Sequence, residues 1–183
     1  MRDADGERTA EEPRPVVVAP DSIAAGTDPL GIAAGTAPPG TYALVYSTAE
    51  PISAEIGALG QGTFEAGAYA YVGSAFGSNG LGRVDRHRRV AAGEHDVRHW
   101  HVDYFGDHPS VSLETVIAAP NADIECRLAT SLRDSLASTT RSTVPVDGFG
   151  ASDCTCRSHL LAAADAETLE STVVGAIAKL VRE

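Results

Sequence analysis

The sequence predicts an α+β domain in which helices pack on a small antiparallel or mixed β-sheet. Short runs rich in Tyr, Val and Ile, bounded by glycine, indicate strands in the first half of the chain. Later segments have the helical spacing of apolar residues. With 183 residues the chain is long enough for one domain with a substantial core, and no internal repeat is evident.

Residues 1–39 are acidic at first and then rich in Ala, Gly, Thr and Pro, without a sustained period. The apolar run Val16–Val18 is too short to indicate an element by itself. A segment of this composition buries too little apolar surface to offset the entropy of ordering it. We therefore predict a disordered or loosely held extension, with the folded domain covering residues 40–164.

Short strands with glycines between them are predicted at the start of the domain. The most hydrophobic of them is expected to be buried on at least one face. Gly57, Gly60 and Gly62 separate the second strand from the third, which indicates a hairpin. The predicted strands cover residues 42–46, 52–56, 62–65 and 68–72.

Helices and strands alternate in the middle of the domain. Residues 81–92 are compatible with a helix, for which Ser78 or Asn79 is a suitable cap. A short helix at 100–106 and a strand at 111–118 are predicted to follow.

The last third of the chain is predicted to contain two amphipathic helices around a closing strand. Asn121 can cap the first helix, which runs to about residue 137. The strand covers 159–164, and the C-terminal unit 165–183 contains a helix over 166–182. The apolar stripes at helical spacing consist of Ile124, Leu128 and Leu132 in the first helix and of Leu169, Val173, Ile177 and Leu180 in the second.

The net charge is −11, and Lys179 is the only lysine. We interpret this balance as adaptation to high salt, as in halophilic proteins, in preference to an ordinary acidic protein from a GC-rich genome. Acidity argues against nucleic acid as a partner, but the basic residues cluster between Arg83 and Arg98 and leave room for a local positive surface. No membrane-spanning run or signal peptide is evident, so we expect a soluble cytoplasmic protein with no membrane partner.

The stretch from Ala70 to Arg89 organises the predicted domain. An aromatic strand ends at Gly73, and a loop of Gly, Ser and Asn leads into a helix that carries Arg83. Backbone can approach a ligand closely at such a loop. The helix that follows offers N–H groups and guanidinium groups, and both suit phosphate. The alternative is that residues 83–89 form a solvent-exposed helix face whose arginines pair with the many acidic residues of the chain.

The motifs of this chain resemble the GIY-YIG nuclease superfamily. They are GTY at 40–42 and YVG at 71–73, followed by Arg83 in one helix and Glu125 in a later one. HWHVDY at 99–104, GFGASDCTCRSHL at 148–160 and the long insertion between the tyrosine motifs resemble its Uri-type branch. That small archaeal and bacterial family is sometimes fused to an endonuclease III-like repair enzyme. The resemblance covers about residues 40–162.

The resemblance implies a catalytic role for five residues. Tyr42 and Tyr71 would lie on neighbouring strands, where one of them orients or deprotonates the attacking water. Arg83 would hold the scissile phosphate, and His87 would contact phosphate or relay a proton. Glu125 would bind a single Mg²⁺ or Mn²⁺. The alternatives are half-buried structural tyrosines and a glutamate stabilised by a helix dipole.

Substrate binding is predicted at residues around these five. His99 and His101 flank Trp100 and would share a face on extended backbone but diverge on a helix. We expect them to be structural or phosphate-contacting rather than a metal pair. The residues assigned to substrate binding are Gly73, Ser74, Arg86, His99 and His101.

A possible zinc site is predicted from Cys154, Cys156 and His159, which supply three ligands within six residues. Cys126 could be the fourth ligand if its helix packs nearby. The alternative is a pair of buried small side chains beside a turn, with His159 hydrogen-bonded to backbone. Asp153 in the same loop could instead approach the nuclease site. Three cysteines do not suggest a disulfide framework.

The resemblance implies a metal-dependent endonuclease that hydrolyses phosphodiester bonds, with DNA favoured over RNA. One alternative is a non-catalytic nucleic-acid-binding module linked to DNA repair, with a DNA repair glycosylase as its partner. Another is a zinc-stabilised scaffold without phosphate chemistry.

Overall fold

The computed structural model describes residues 14–138 and 143–183. Within these ranges the strands are β1 (Val16–Val18), β2 (Gly40–Thr48), β3 (Ile52–Glu55), β4 (Gln61–Phe64), β5 (Gly67–Ser74), β6 (Val111–Pro120) and β7 (Leu160–Ala163). The helices are α1 (Pro20–Ala24), α2 (Arg83–Ala91), α3 (His101–Gly106), α4 (Glu125–Leu136) and α5 (Ala166–Leu180).

A five-stranded antiparallel sheet in the order β1-β6-β2-β5-β7 organises the fold. Strand β2 lies at its centre and pairs along its length with β5 and β6. Strands β3 and β4 form the predicted hairpin as a separate two-stranded sheet. The predicted α+β class, with helices packed on a small sheet and a C-terminal helix, is confirmed.

The two faces of the central sheet pack against different layers. On one face Tyr42, Leu44 and Tyr46 of β2 join an aromatic core with the hairpin, α2 and α3. On the other face Ala43 and Val45 pack against α4 and α5. The alternation follows from the period of two along a strand. The sheet side chains on the second face are aliphatic, whereas the large tyrosines with their polar hydroxyls lie on the first.

The prediction for the N-terminal extension is wrong for residues 16–32. Val16–Val18 pairs with Val116–Ala118 of β6. Further along the segment, Ile23 and Ile32 are fully or almost fully buried in the aromatic core. The apolar anchors of this segment are few and widely spaced, which is why no period revealed them. Residues 1–13 lie outside the described residues.

Helix α4 begins later than predicted, at Glu125, and Asn121 does not cap it. Asn121 instead adopts a left-handed conformation with φ of 59°. The Thr41 hydroxyl of β2 accepts a hydrogen bond from the Ile124 amide (3.0 Å) and donates one to the Ala122 carbonyl (2.8 Å). This contact fixes the start of α4 to the strand that carries Tyr42.

Helix α2 also differs in its start, because a 3₁₀ turn at Gly80–Gly82 precedes it and Asn79 makes no side-chain cap. The C-terminal helix matches the prediction more closely. It buries the expected stripe against the sheet, and Asp165 caps its first turn by accepting from the Thr168 amide. Across the described ranges, no helix is long and apolar enough to cross a membrane.

Candidate active site and metal centre

A cavity of about 280 Å³ opens on the aromatic face of the sheet, where β2, β5, α2, α4 and the loop of residues 148–159 meet. The loop is irregular and closes on itself, since Gly148 donates to the Arg157 carbonyl and His159 to that of Phe149. Many of the predicted site residues line the cavity: Tyr42, Tyr71, Ser74, Arg83, His99, His101 and Glu125. Asp153 lines it as well.

Tyr42 in the cavity wall and His87 and Asp103 behind it form a hydrogen-bonded chain. The Tyr42 hydroxyl lies 3.0 Å from His87 Nε2, and His87 Nδ1 lies 2.7 Å from Asp103 Oδ1. All three are buried, with 1%, 2% and 1% of their surface exposed. The prediction that His87 contacts phosphate is therefore not supported, because its ring is enclosed and both its nitrogens are engaged. A proton relay remains compatible with this position.

The pKa values of Tyr42, His87 and Asp103 indicate which of these three residues carry a proton. Burial lowers the pKa of His87 below its ordinary value of 6.5, although the hydrogen bond to Asp103 opposes the effect. Burial raises the pKa of Asp103, but hydrogen bonds from His87 and two backbone amides outweigh it and hold this pKa well below its ordinary value. Burial also raises the pKa of Tyr42. The neutral His87 ring therefore donates from Nδ1 to the Asp103 carboxylate and accepts from the Tyr42 hydroxyl at Nε2.

Asp103 is a site residue that the sequence analysis did not identify. Its Oδ2 atom accepts from the backbone amides of His99 (2.8 Å) and Trp100 (3.1 Å) and from Arg86 (3.0 Å). One carboxylate thus fixes both the His87 ring and the start of α3. The sequence feature that could have identified Asp103 is its position as an acidic residue inside the HWHVDY motif, in a predicted helix where Val102 and Phe105 beside it are apolar.

Arg83 and Arg86 occupy different positions around Trp100. Arg83 lines the cavity, donates to the Ser74 carbonyl (2.6 Å) and lies 5.3 Å from the Trp100 ring centre. Arg86 lies 4.6 Å from the same ring centre but is paired with Asp103 and donates to the Val97 carbonyl. Arg86 does not line the cavity, so the assignment of Arg86 to substrate binding is replaced by a structural role.

Gly73 also has a structural role rather than the predicted substrate-binding role. It pairs with Tyr42 across β2 and β5, and a Cβ atom on it would overlap the Tyr42 ring. Gly150 likewise leaves space for the Tyr71 ring, because a Cβ atom added to it would lie 2.8 Å from Tyr71 Cε2. Its φ of +69° also favours glycine at this position. These glycines provide space for the two tyrosine rings at the cavity.

His99 and His101 both line the cavity, as expected for extended backbone between them. Trp100 has φ of −108° and ψ of 157°, and α3 begins only at His101. His101 Nδ1 accepts from the Gly150 amide (2.9 Å), and partial burial lowers the His101 pKa. His101 thereby ties α3 to the 148–159 loop.

A second site lies next to the cavity. One ligand atom from each of Cys126, Cys154, Cys156 and His159 lies within 4.8 Å of the others, so the four side chains are close enough to hold a metal ion. His159 Nε2 is 3.4 Å from the Cys154 sulfur and 4.0 Å from that of Cys126. The predicted three-residue cluster thus gains the fourth residue that the sequence suggested. Cys126, Cys154 and Cys156 are free cysteines.

His159 and Glu125 connect the two sites. His159 is completely buried, and its Nδ1 atom has no hydrogen-bond partner among the described residues. That atom lies 3.4 Å from Glu125 Oε1, and the Glu125 side chain is 23% exposed at the cavity. Cys126 follows Glu125 in the first turn of α4. One helical turn therefore supplies a carboxylate to the cavity and a thiol to the cluster of Cys126, Cys154, Cys156 and His159.

Comparison with curated proteins finds no match, and comparison with solved structures finds none either. A protein-family model does match residues 41–182, which include all of the cavity and metal-cluster residues. Since this match covers well over half of the chain, the protein belongs to the family described as domain of unknown function DUF123.

Proposed function

We propose that this protein is a metal-dependent endonuclease that hydrolyses phosphodiester bonds in nucleic acid, with DNA as the favoured substrate. The main support is the convergence of Tyr42, Tyr71, Arg83 and Glu125, from four different elements, on one cavity. A buried His87–Asp103 pair stands behind Tyr42. The resemblance to GIY-YIG nucleases assigns chemistry to the same residues.

The residues divide the reaction into phosphate binding and proton transfer. Arg83, held by the Ser74 carbonyl and Trp100, binds the scissile phosphate and neutralises charge in the transition state. As the attacking water forms its bond to phosphorus, it gives a proton to the Tyr42 oxygen, and Tyr42 gives its own proton to His87 Nε2. The phosphorus–oxygen bond to the leaving group then breaks with its electron pair on the leaving oxygen, which takes a proton from solvent water, and His87 returns its proton through Tyr42 to the hydroxide that results. Asp103 stabilises the imidazolium that forms.

Tyr71 acts in this proposal as a hydrogen-bond donor. Burial raises its pKa well above the ordinary value, so it keeps its proton. Its ring centre lies 6.3 Å from that of Tyr42. A protonated phenol next to the proton-accepting one is suited to orienting the attacking water or a phosphate oxygen.

The donor set fits the divalent cation that the resemblance implies. Glu125 and Asp153 line the cavity, and carboxylate oxygens are the hard ligands that Mg²⁺ and Mn²⁺ prefer. Bound there, the cation would polarise a phosphoryl oxygen and offset its charge. Glu125 would hold it, and the partly exposed carboxylate leaves room for water and substrate.

The charge distribution supports local rather than long-range binding of nucleic acid. Much of the basic cluster is paired: Arg88 with Asp85 and Glu94, and Arg98 with Asp107. Arg83 has no acidic partner among the described residues and faces the cavity. Phosphate contact at Arg83 is therefore direct and close, as an acidic protein requires.

We further propose that the cluster of Cys126, Cys154, Cys156 and His159 binds zinc. Three thiolates and one imidazole form a set that is typical of closed, structural zinc sites. The cluster joins α4 to the 148–159 loop, which carries part of the cavity wall. Elemental analysis of protein purified without added metal tests this, with about one zinc per chain as the expected result.

Cleavage assays test the nuclease proposal. Nicked, flapped and single-stranded DNA are incubated with Mg²⁺ and then Mn²⁺, at low and high salt. We expect cleavage that Glu125→Gln abolishes. Glu167→Gln is the matched control, because Glu167 also lies in the first turn of a helix but is exposed and does not line the cavity. Binding without cleavage across all conditions would favour the non-catalytic binding module instead.

A further inference from the structure

We propose that the metal centre of Cys126, Cys154, Cys156 and His159 positions the Glu125 carboxylate in the neighbouring cavity, through the imidazole of His159. The inference rests on the proposed function, because that function gives Glu125 its role as a cation ligand. It adds a task to the metal centre beyond holding the fold together. His159 is then a positioning residue for the reaction.

The first step is the orientation of the His159 ring. Its Nε2 atom faces the sulfurs of Cys154 and Cys126, and its Nδ1 atom faces Glu125 Oε1 at 3.4 Å. The main chain around the ring is fixed on both sides. The His159 amide donates to the Phe149 carbonyl (2.7 Å), and its carbonyl accepts from the Val72 amide of β5 (2.9 Å). The ring therefore spans the two sites in a defined direction.

The second step is the tautomer of that ring. A metal ion on Nε2 uses the lone pair there, so the neutral ring carries its proton on Nδ1. Glu125 Oε1 lies 3.4 Å from Nδ1, so a small shift of the carboxylate brings it within reach of that N–H and gives a partner to a buried nitrogen that otherwise has none among the described residues. A ligating histidine whose other nitrogen donates to a carboxylate is a recurrent second-shell arrangement. Metal occupancy at one site thereby fixes a hydrogen bond at the other.

The third step is that the same loop supplies both sites. Gly150 and Asp153 line the cavity, and Cys154 and Cys156 follow immediately in the metal cluster. A metal ion would therefore order the loop as well as the His159 ring. A decisive experiment must separate the hydrogen bond to Glu125 from this general ordering.

His159→Cys makes that separation, because a four-cysteine set retains zinc while the N–H facing Glu125 is lost. Cys156→His is the matched control, since it also replaces one ligand by another and keeps His159. Zinc content is measured in both variants. The readout is the affinity of the zinc-loaded proteins for Mn²⁺, measured by electron paramagnetic resonance. Mn²⁺ prefers oxygen ligands and reports on the carboxylate rather than on the thiolates.

We expect Mn²⁺ affinity to fall about 10–100-fold in His159→Cys, the range typical of losing an outer-shell partner. Cys156→His should stay within a few-fold of the wild type, and Glu125→Gln should lose the site. Unchanged Mn²⁺ affinity in zinc-loaded His159→Cys would overturn the inference, and so would a wild-type protein that binds no Mn²⁺. Equal losses in both ligand exchanges would also overturn it, because they would indicate general loop ordering.

A second measurement covers the case in which His159→Cys does not retain zinc. Long-range ¹⁵N NMR of the zinc-loaded wild type identifies which nitrogen of His159 carries the proton. A proton on Nδ1 supports the inference, and a metal-bound Nδ1 contradicts it. Cleavage is scored separately. A protein that shows the Mn²⁺ effect but cuts no DNA loses the nuclease proposal alone, and a nuclease whose Mn²⁺ affinity does not change loses this inference alone.

Discussion

The Nε2 atom of His87 lies 3.0 Å from the hydroxyl oxygen of Tyr42, and both side chains are almost fully buried, with Tyr42 lining the cavity and His87 behind it. Tyrosine by itself is a poor base near neutrality, because its ordinary pKa is about 10. Burial raises that of Tyr42 further. A neutral imidazole within hydrogen-bond distance removes this difficulty, since the phenol can pass on its own proton while it takes one from water.

Asp103→Asn should reduce cleavage by about 10²–10⁴-fold, the range of general acid–base contributions. An amide can donate to His87 Nδ1, which favours the proton on Nε2 and removes the acceptor for Tyr42. Substrate affinity should change little. Single-turnover rates measure the effect, and thermal unfolding checks that the variant is folded.

The control for Asp103→Asn is Asp107→Asn. Asp107 lies at the end of the same helix, α3, and its carboxylate also pairs with an arginine, Arg98, but this ion pair is more exposed than that of Asp103 with Arg86. Combining Asp103→Asn with His87→Gln should cost little more than either change alone, because the residues act as one unit. Additive losses, or an Asp103→Asn effect no larger than that of the control, would contradict the relay.

The pH profile of cleavage should have an acid limb with its midpoint below 6.5. His87 accepts a proton only when neutral, and burial lowers its pKa below that ordinary value. The rate therefore rises as pH increases through the lowered pKa and is lost as pH falls through it. Single-turnover rates between about pH 5 and pH 8 measure the limb. The remaining activity of His87→Gln should lack it, and a midpoint above 6.5 in the wild type would refute the assignment.

Arg83→Ala should lower cleavage by about 10²–10³-fold, as is typical for the loss of one preorganised donor. Arg83→Lys should restore little, because an ammonium group does not reproduce the two-pronged contact of a guanidinium with phosphate. Arg89→Ala is the matched control on the same helix, since Arg89 is exposed and does not line the cavity. Equal effects of Arg83→Ala and Arg89→Ala would indicate a general charge effect only.

Ile23→Ala should destabilise the fold by about 2–5 kcal/mol, the cost typical of truncating a large buried aliphatic side chain. Ile23 is fully buried in the aromatic core although it precedes the predicted domain. Val17→Ala is the control, because Val17 is 46% exposed in β1 and should cost less than about 1 kcal/mol. Denaturant unfolding measures both, and a small loss for Ile23→Ala would show that the N-terminal segment is dispensable.

The sequence was sufficient to predict elements whose signal is local. The stripe of α5 recurs at helical spacing, and the hairpin is marked by glycines, so both were located within a few residues. The N-terminal segment was missed because its order depends on distant partners. Val16–Val18 is a strand only because Val116–Ala118, about 100 residues later in the chain, pairs with it.

The same distinction applies to the site. Motif positions predicted the cavity residues Tyr42, Tyr71, Arg83 and Glu125, but not how they are supported. The role of Asp103 depends on its hydrogen bond to His87, which joins α3 to α2. At the start of α4, the hydrogen-bond acceptor is the Thr41 hydroxyl, about 80 residues earlier in the chain, and not the predicted cap Asn121. Such supporting contacts carry no local pattern, because any polar residue at the right place in space can make them.

The central position of β2 has a consequence for how substrate enters. A strand paired on both edges throughout its length exchanges its amide hydrogens only when the whole sheet opens, whereas irregular loops open at much lower free energy. Tyr42 lies on β2, and Tyr71 lies on β5, which pairs with β2 on one side and β7 on the other, so we expect the strands of both tyrosines to exchange slowly. The opposite wall belongs to the 148–159 loop and the start of α3. We therefore expect a phosphodiester substrate of the proposed reaction to meet tyrosines that keep their places, so that any adjustment on its entry falls on the second wall rather than on the strands.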